Sequence, residues 1–224
     1  MNHVRAPERS FFERDSVAVA PDLLGAVLSH TTPEGTVSLR LTEVEAYLGH
    51  GDDPGSHAFR GKTPRNAVMF GEPGHVYVYF TYGMHACANL VCSPQARASA
   101  VLLRAAEVVE GVDLARLRRS AGRGGTAHEH ETRATQVSDR DLARGPARLT
   151  VAAGIRLDEN GADAFSAPFS LVLPDEPVAS VAAGPRTGVS GAGGDGGRYP
   201  WRFWIPGERS VSPYKRHPKA GSAN

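Results

Sequence analysis

Cysteine is scarce in this sequence, and its two cysteines form no recognisable metal or disulfide pattern. Cys87 and Cys92 are five residues apart in a predicted strand, so their side chains point to opposite faces and are poorly placed to bridge each other. A zinc site would also need a second pair of ligands at a suitable spacing, and none accompanies these two cysteines. We therefore expect two small buried thiols and no metal site.

Long apolar runs and a large net charge are also missing. No 18-residue apolar stretch and no basic-then-apolar leader are present, so we expect neither a membrane span nor a secretory signal, and a cytoplasmic location. The net charge of +1 conceals blocks of opposite sign. Residues 1–58 hold four Lys and Arg against nine Asp and Glu, whereas residues 198–219 hold six against one. Such blocks can fold into one basic face that suits a polyanion, or they can cancel in three dimensions.

Strand signals outnumber helix signals along the chain. Strands are predicted at 36–48, 74–82, 87–92, 99–105, 169–173 and 201–205, and helices at 16–24, near 110–120 and at 145–155. Residues 120–136 and 188–200 lack apolar periodicity and predict loops. Because the strands do not alternate with helices as βαβ units, we predict an α+β fold with a curved, mostly antiparallel sheet core and surrounding helices.

The longest predicted strand changes its pattern midway. Every second residue from Val37 to Leu41 is apolar, but the next positions on that face are Glu43, Glu45 and Tyr47. A β-bulge that leaves solvated glutamates would explain the change. A strand that keeps its register and turns its carboxylates towards a pocket would explain it as well. In that case a carboxylate and an aromatic ring would share one wall.

The loop after this strand holds His57 and three cations. A lone loop histidine is most often structural or solvated. Thr63, which precedes a proline, resembles the N-cap of a short helix. A helix that starts beside Arg60, Lys62 and Arg65 would make a phosphate site.

Aromatic residues make up only 7% of the chain, yet three of the six tyrosines lie between Tyr77 and Tyr82. Tyr77 and Tyr79 share one face of a strand whose other face is apolar, so Tyr79 either lines a pocket or is half-buried for structural reasons. Tyr82 precedes Gly83 at the end of the strand, where the ring could insert between DNA bases. We expect Tyr77 to pack structurally.

Several long blocks of the sequence resemble the alkyladenine (methylpurine) DNA glycosylase family. They are TEVEAYLGHGDDPGSHAFRGKTPRN, MFGEPGHVYVYFTYGMHACANLV and VLLRAAE, and GPARLT, RTGVS and PWRFW continue the match in order. The resemblance covers residues 11–212, which implies one glycosylase domain flanked by flexible tails at 1–10 and 213–224. The arginine-rich region 116–148 and the glycine-rich segment 190–197 receive no site residues from it.

The resemblance implies a monomeric base excision repair enzyme that needs no metal, no cofactor and no lyase lysine. Such an enzyme flips alkylated or deaminated purines out of double-stranded DNA and hydrolyses the N-glycosidic bond, which leaves an abasic site. Residues matching the family's site are Glu45 as the catalytic carboxylate, Tyr47, His57, Tyr79, Asn89 and Arg104 around the flipped base, and Tyr82 as the DNA-intercalating wedge. Arg65 matches a motif arginine, and with Arg60 and Lys62 it is a candidate for DNA backbone contacts.

Two other interpretations remain open. A lesion-binding protein of the same fold would keep the pocket aromatics but hydrolyse little. An unrelated sugar or nucleoside hydrolase could use Glu43 and Glu45 on free small molecules, although the basic blocks and the exposed aromatic would then have no purpose. Glu43 competes with Glu45 for the catalytic role, and the family motif favours Glu45.

Overall fold

The computed structural model describes residues 6–81, 85–121 and 137–221. In this part of the chain the strands are β1 (Val27–Thr32), β2 (Gly35–Tyr47), β3 (Val76–Thr81), β4 (His85–Cys92), β5 (Ser99–Glu110), β6 (Ala143–Arg144), β7 (Phe169–Val172), β8 (Ala182–Gly184) and β9 (Arg202–Trp204). The α-helices are α1 (Ser16–Asp22), α2 (Val112–Ala121) and α3 (Pro146–Ala153). Short 3-10 turns occur at Arg9–Glu13, Ala67–Phe70, Asp139–Asp141, Leu157–Glu159 and Ala192–Gly194.

The nine described strands form one sheet in the order β3-β4-β5-β2-β1-β7. β6 pairs with β5, and β9 lies between β2 and β8. Every pairing between these strands is antiparallel, and the whole forms a single domain. The predicted α+β fold with a mostly antiparallel sheet is confirmed.

β1 was not predicted, because only two of its six residues are buried and one of these is a histidine. His30 is accommodated by three contacts: its Nδ1 lies 2.9 Å from the Ala153 carbonyl, its Nε2 lies 2.5 Å from Glu159, and its ring stacks on Phe169. A polar residue that is buried in this way breaks the apolar alternation from which strands are recognised.

The helices and the main apolar core cover one face of the sheet. Their shared core contains Val19 of α1, Leu149 of α3 and alternate aliphatic residues of the central strands, such as Leu90 and Leu103. Residues of the opposite parity point away from the helices. Cys92 belongs to this core, whereas Cys87 lines a cavity, and both thiols are free.

A bulge in β2 explains the change of pattern around the two glutamates. The register against β5 shifts between Leu41 and Glu43 and again between Glu43 and Val44, so the core-facing position passes from Leu41 to Val44. Glu43 and Glu45 then lie on the face opposite the helices. They are not solvated, however, since both are completely buried. Of the two explanations that the sequence left open, the bulge is confirmed and the strand that keeps its register is wrong, and the glutamates are buried instead of solvated.

The loop that holds His57 is organised differently from its prediction. A four-residue 3-10 turn starts at Ala67, and Thr63 is not its N-cap. Instead, Asn66 accepts a hydrogen bond from the backbone N–H of Thr63 (2.6 Å) and donates to the carbonyls of His57 (2.8 Å) and Gly61 (3.0 Å). The predicted cap is therefore wrong, and a single 3-10 turn is too short to provide the helix-start phosphate site expected from it.

Three predicted features lie partly or wholly outside the described residues. Tyr82 is one, and residues 122–136 of the predicted loop are another. Of the two predicted tails, residues 6–10 and 213–221 are described, and Arg9 pairs with Asp163 at 3.0 Å. Among the described residues, none of the helices has the length and the apolar character that a membrane span requires.

Candidate active site

The register of the sheet places residues of four adjacent strands in one row. Glu45 of β2 lies opposite Leu102 of β5, Leu102 lies opposite Asn89 of β4, and Asn89 lies opposite Tyr77 of β3. Residues paired across antiparallel strands project to the same side. The row therefore lies on the face opposite the helices.

A cavity of about 380 Å³ lies over this row. Its size falls in the range of small-molecule sites, roughly 300–1,000 Å³. It is lined by Glu45, Tyr47, Pro54, Gly55, His57, Met69, Tyr77, Tyr79, Thr81, Cys87, Asn89, Leu102, Arg104, Pro146, Thr187, Gly188, Val189 and Ser190. The structure thus brings together six sequence-predicted residues: Glu45, Tyr47, His57, Tyr79, Asn89 and Arg104.

A larger depression of about 1110 Å³ lies towards the other end of β5, beside Glu107 and Arg209. It is also lined by Leu117 and Val137. None of the predicted site residues lines it.

Glu45 is fixed in the cavity wall by donors from three places. Its Oε1 accepts the backbone N–H of Thr187 at 2.7 Å, and its Oε2 accepts the hydroxyl of Tyr47 at 2.9 Å. The Nε of Arg104 lies 3.5 Å from Oε1. The carboxylate is completely buried by protein but borders the cavity, so its environment is preorganised for a small reactant.

Glu43 is equally buried but does not line the cavity. Its Oε1 accepts from the Nε of Arg104 (3.0 Å), the Nε of Arg202 (2.5 Å) and the Oγ of Ser212 (3.0 Å), while its Oε2 accepts from the Ser212 backbone N–H (2.6 Å). Burial alone would lower the pKa of Arg104, but the carboxylates of Glu45 and Glu43 raise it overall, so the guanidinium stays charged.

An aromatic wall lines the same cavity as the Glu45 carboxylate. The rings of Tyr77 and Tyr79 stack with centroids 5.5 Å apart, and the edge of His57 meets Tyr79 at 4.5 Å. Burial raises the pKa of Tyr77 to about 12, and it also raises the pKa of Tyr79. Burial, together with the charge of Arg65, lowers the pKa of His57. The wall therefore consists of neutral rings at pH 7, with His57, whose side chain is partly buried and partly exposed to solvent, at the cavity's edge.

The sequence model of the family described as Methylpurine-DNA glycosylase (MPG) matches residues 10–209. This chain belongs to that family. A relative from Leifsonia xyli subsp. xyli is 62% identical over 212 residues, which cover 95% of this chain and 94% of the relative. Relatives from Streptomyces avermitilis and Nocardia farcinica are 53% and 46% identical and cover 96% and 93% of this chain, and 96% and 92% of their own lengths. All three carry the name "Putative 3-methyladenine DNA glycosylase".

A buried ion pair behind Tyr47 was missed in the sequence of this methylpurine-DNA glycosylase family member. Arg186 forms two hydrogen bonds with Asp53, at 2.6 and 2.7 Å, and both side chains are inaccessible to solvent. The guanidinium carbon lies 4.5 Å from the centroid of Tyr47. Since Arg186 does not line the cavity, it supports the tyrosine ring from outside it.

Local sequence signals identify only part of this pair. Asp53 looks like a turn residue, and it is one, because its Oδ1 accepts the backbone N–H of Gly55 at 2.9 Å. Its second role depends on Arg186, which is 133 residues away. Pairings at such separation produce no periodicity. The RTGVS block of the family resemblance contains Arg186 and was the only available signal.

The three candidate DNA-contacting cations are exposed. The Nη2 of Arg65 donates to the carbonyl of Phe80 at 3.0 Å, and its guanidinium carbon lies 5.9 Å from the Tyr79 ring centroid. Arg65 therefore lies beside the aromatic wall. Arg60 and Lys62 occupy the same surface loop.

The described residues contain no group of three or more His, Cys, Asp or Glu placed to hold a metal ion. Cys87 is 2% exposed, and burial raises the pKa of its thiol, which keeps the group protonated. Its role in the cavity wall is that of a small apolar side chain.

Proposed function

We propose that the protein is a monofunctional DNA glycosylase that removes alkylated or deaminated purines from duplex DNA. The observation that carries this proposal is the position of Glu45: a buried carboxylate held by two hydrogen bonds borders a cavity that is also lined by aromatic rings. Membership of the methylpurine-DNA glycosylase family supports it independently. We further propose that the protein acts as a monomer.

In the proposed reaction, Glu45 positions and activates one water. The water oxygen bonds to the anomeric carbon of the sugar while the glycosidic C–N bond breaks, and the bonding electrons leave with the purine. The water proton passes to the Glu45 carboxylate. The same negative charge stabilises the oxocarbenium-like sugar, as carboxylates do in the hydrolysis of glycosides.

The aromatic wall supplies binding for the base. Tyr47 and Tyr79 present flat neutral rings, and an alkylated purine is flat and cationic or electron-poor, so stacking and cation–π attraction favour it. Asn89 donates to the carbonyl of Tyr77 at 3.0 Å, which fixes its amide in the wall. We assign Asn89 to discrimination against the amino group of normal guanine, and Arg104 to the support of Glu45.

A base inside a duplex cannot reach such a cavity and must be rotated out, at a cost of a few kcal/mol that is least for damaged pairs. Tyr82 is the proposed wedge that fills the gap, and Arg60, Lys62 and Arg65 are the proposed backbone contacts. Replacement of Tyr82 by Ala should weaken excision from a lesion duplex more than excision from the single strand. Equal effects on both substrates would remove the wedge assignment.

The direct test is excision from a duplex that carries one hypoxanthine or one etheno-adenine. Incubation with the protein should leave an abasic site that alkali cleaves, and the undamaged duplex should stay intact. Strand cleavage without alkali would contradict a monofunctional enzyme. Tight binding to several lesions without excision would favour a lesion-binding protein, and hydrolysis confined to free nucleosides would favour a small-molecule hydrolase.

A further inference from the structure

The C-terminal segment 213–221, which we call the basic strap, packs against the loop that forms one side of the cavity. The backbone N–H of Gly188 donates to the carbonyl of Lys215, and that of Gly191 donates to the carbonyl of Lys219, both at 2.9 Å. Ala220 of the strap is buried and forms a bridge with Gly191. The strap is therefore attached to the cavity wall at two places.

The strap presents three cations to solvent. Lys215, Arg216 and Lys219 are exposed, and none of them pairs with an Asp or Glu in the part of the chain that the structure describes. The Nη2 of Arg216 donates to the carbonyl of Ala220 at 3.0 Å, which helps to hold the strap in shape. Unpaired cations on an ordered segment retain their full charge for an external anion.

The position of these cations points to the ligand. Residues 188–190 line the cavity. The backbone of the strap is hydrogen-bonded to this loop and therefore lies about 4.8 Å from it, a distance that a lysine side chain can span. Arg65 lies beside Tyr79 in another part of the same wall. A duplex that delivers one nucleotide into the cavity must pass its phosphates over the residues around the opening.

We propose that the basic strap is a contact site for the sugar–phosphate backbone of duplex DNA next to the flipped nucleotide. This inference rests on the proposed function, because the occupant is the duplex that the cavity would act on. Phosphate contacts position a protein on DNA without reading its sequence. The strap should therefore bind damaged and undamaged duplexes alike.

The test is the salt dependence of binding to an undamaged duplex, which requires no excision. A plot of log affinity against log salt has a negative slope. In the variant K215Q/R216Q/K219Q, the magnitude of this slope should decrease by about 2–3, since each lost phosphate contact removes about 0.9. Affinity at about 0.1 M salt should fall at least tenfold, by the same factor for lesion and undamaged duplexes. K215Q and K219Q alone should each reduce the magnitude of the slope by about one. The variant K215R/K219R keeps both charges and should keep the original slope.

The matched control is R14Q/R40Q/R116Q, which removes the same charge from arginines that each pair with a carboxylate of their own, in Asp22, Glu107 and Asp113 respectively. Its slope should stay within about 0.5 of the original value, because those arginines are already neutralised. An unchanged slope in the strap variant, or an equal fall in the control, would overturn the proposal.

The outcome is separable from that of the proposed function. Excision by the unaltered protein with an unchanged slope in the strap variant would overturn the strap alone. Absence of excision with a reduced slope would overturn the glycosylase and leave the strap as a DNA contact. Thermal melting of each variant within about 3 °C of the original would show that the fold is intact, since a shift of that size corresponds to only about 1 kcal/mol for a domain of this length.

Discussion

Glu43 and Glu45 are two residues apart on one strand, are buried to the same extent, and differ in what surrounds them. Glu43 accepts four hydrogen bonds from Arg104, Arg202 and Ser212, which join β2 to β5, β9 and the segment after β9. Glu45 accepts two, from Tyr47 and Thr187, and borders the cavity.

The difference shows that burial alone does not identify a catalytic carboxylate. A buried charge is costly unless hydrogen bonds and opposite charges compensate it, and both glutamates meet this condition. The hydrogen bonds that Glu43 accepts all join elements of the fold, whereas Glu45 borders space that a reactant can enter. We therefore expect changes around Glu43 to affect stability and changes around Glu45 to affect excision.

The largest expected effect is that of Glu45→Gln on excision. The amide keeps the size of the side chain and can still hydrogen-bond with Tyr47, but it cannot accept a proton from water. Single-turnover excision from a hypoxanthine duplex should fall by about 10²–10⁴-fold, the usual contribution of a general base. Binding of the same duplex, measured by gel shift, should stay within about threefold. A loss of less than tenfold would contradict the assigned role.

Glu43→Gln should act in the opposite way. The change removes the charge that compensates the Arg104 and Arg202 guanidiniums, and the loss of one partner in a buried ion pair costs about 3–5 kcal/mol. Urea denaturation should show this loss in the free energy of unfolding. Excision by the folded protein at low temperature should fall by less than about tenfold. An intact stability with abolished excision would reverse the comparison.

Two hydroxyl deletions, one beside each glutamate, should have smaller effects of the same two kinds. Ser212→Ala removes one donor from Glu43 and should cost about 1.5–3 kcal/mol of stability, the range for hydrogen bonds to charged groups. Tyr47→Phe removes one donor from Glu45 and keeps the stacking ring. It should lower single-turnover excision by about tenfold, and Ser212→Ala should leave excision within about twofold. Equal effects of the two changes on both measurements would contradict the division of roles.

The smallest expected effect concerns pH. Burial, with the charge of Arg65, lowers the pKa of His57, so the unfolded chain takes up its proton first as the pH falls. The stability that depends on neutral His57 is complete above about pH 6.5 and is lost as the pH falls through the lower folded value. Melting temperatures of His57→Gln should therefore decline less between pH 7 and pH 5 than those of the unaltered protein. A steeper decline in the variant would show that the shift has the opposite sign.

The sequence predicts the strands and the cavity residues better than it predicts the contacts between them. Alternation identified β2 and β5, and the family blocks named residues that do lie together around the cavity. The bulge in β2 is visible as a change of parity after Leu41. Three of the donors to Glu43 and Glu45 are not visible, because Thr187, Arg202 and Ser212 are more than 140 residues away from them along the chain.

Two further features could not be predicted from the sequence for related reasons. Tyr77 was expected to pack structurally, and it is buried as expected, but its hydroxyl also lies 3.1 Å from the Nδ1 of His57 in the cavity wall. The strap had no apolar periodicity that would predict its packing, since three backbone hydrogen bonds and one buried alanine attach it. Such backbone pairing leaves no signature in the side chains.

The most direct test of the account compares Glu45→Gln and Glu43→Gln in one experiment. Both variants are incubated in excess with the hypoxanthine duplex, at a temperature where circular dichroism shows both to be folded, and excision rates are measured by alkali cleavage. The account predicts that the Glu43 variant excises at least tenfold faster than the Glu45 variant while both bind the duplex. Equal rates, or a faster Glu45 variant, would contradict the claim that the carboxylate beside the cavity is the one that performs the reaction.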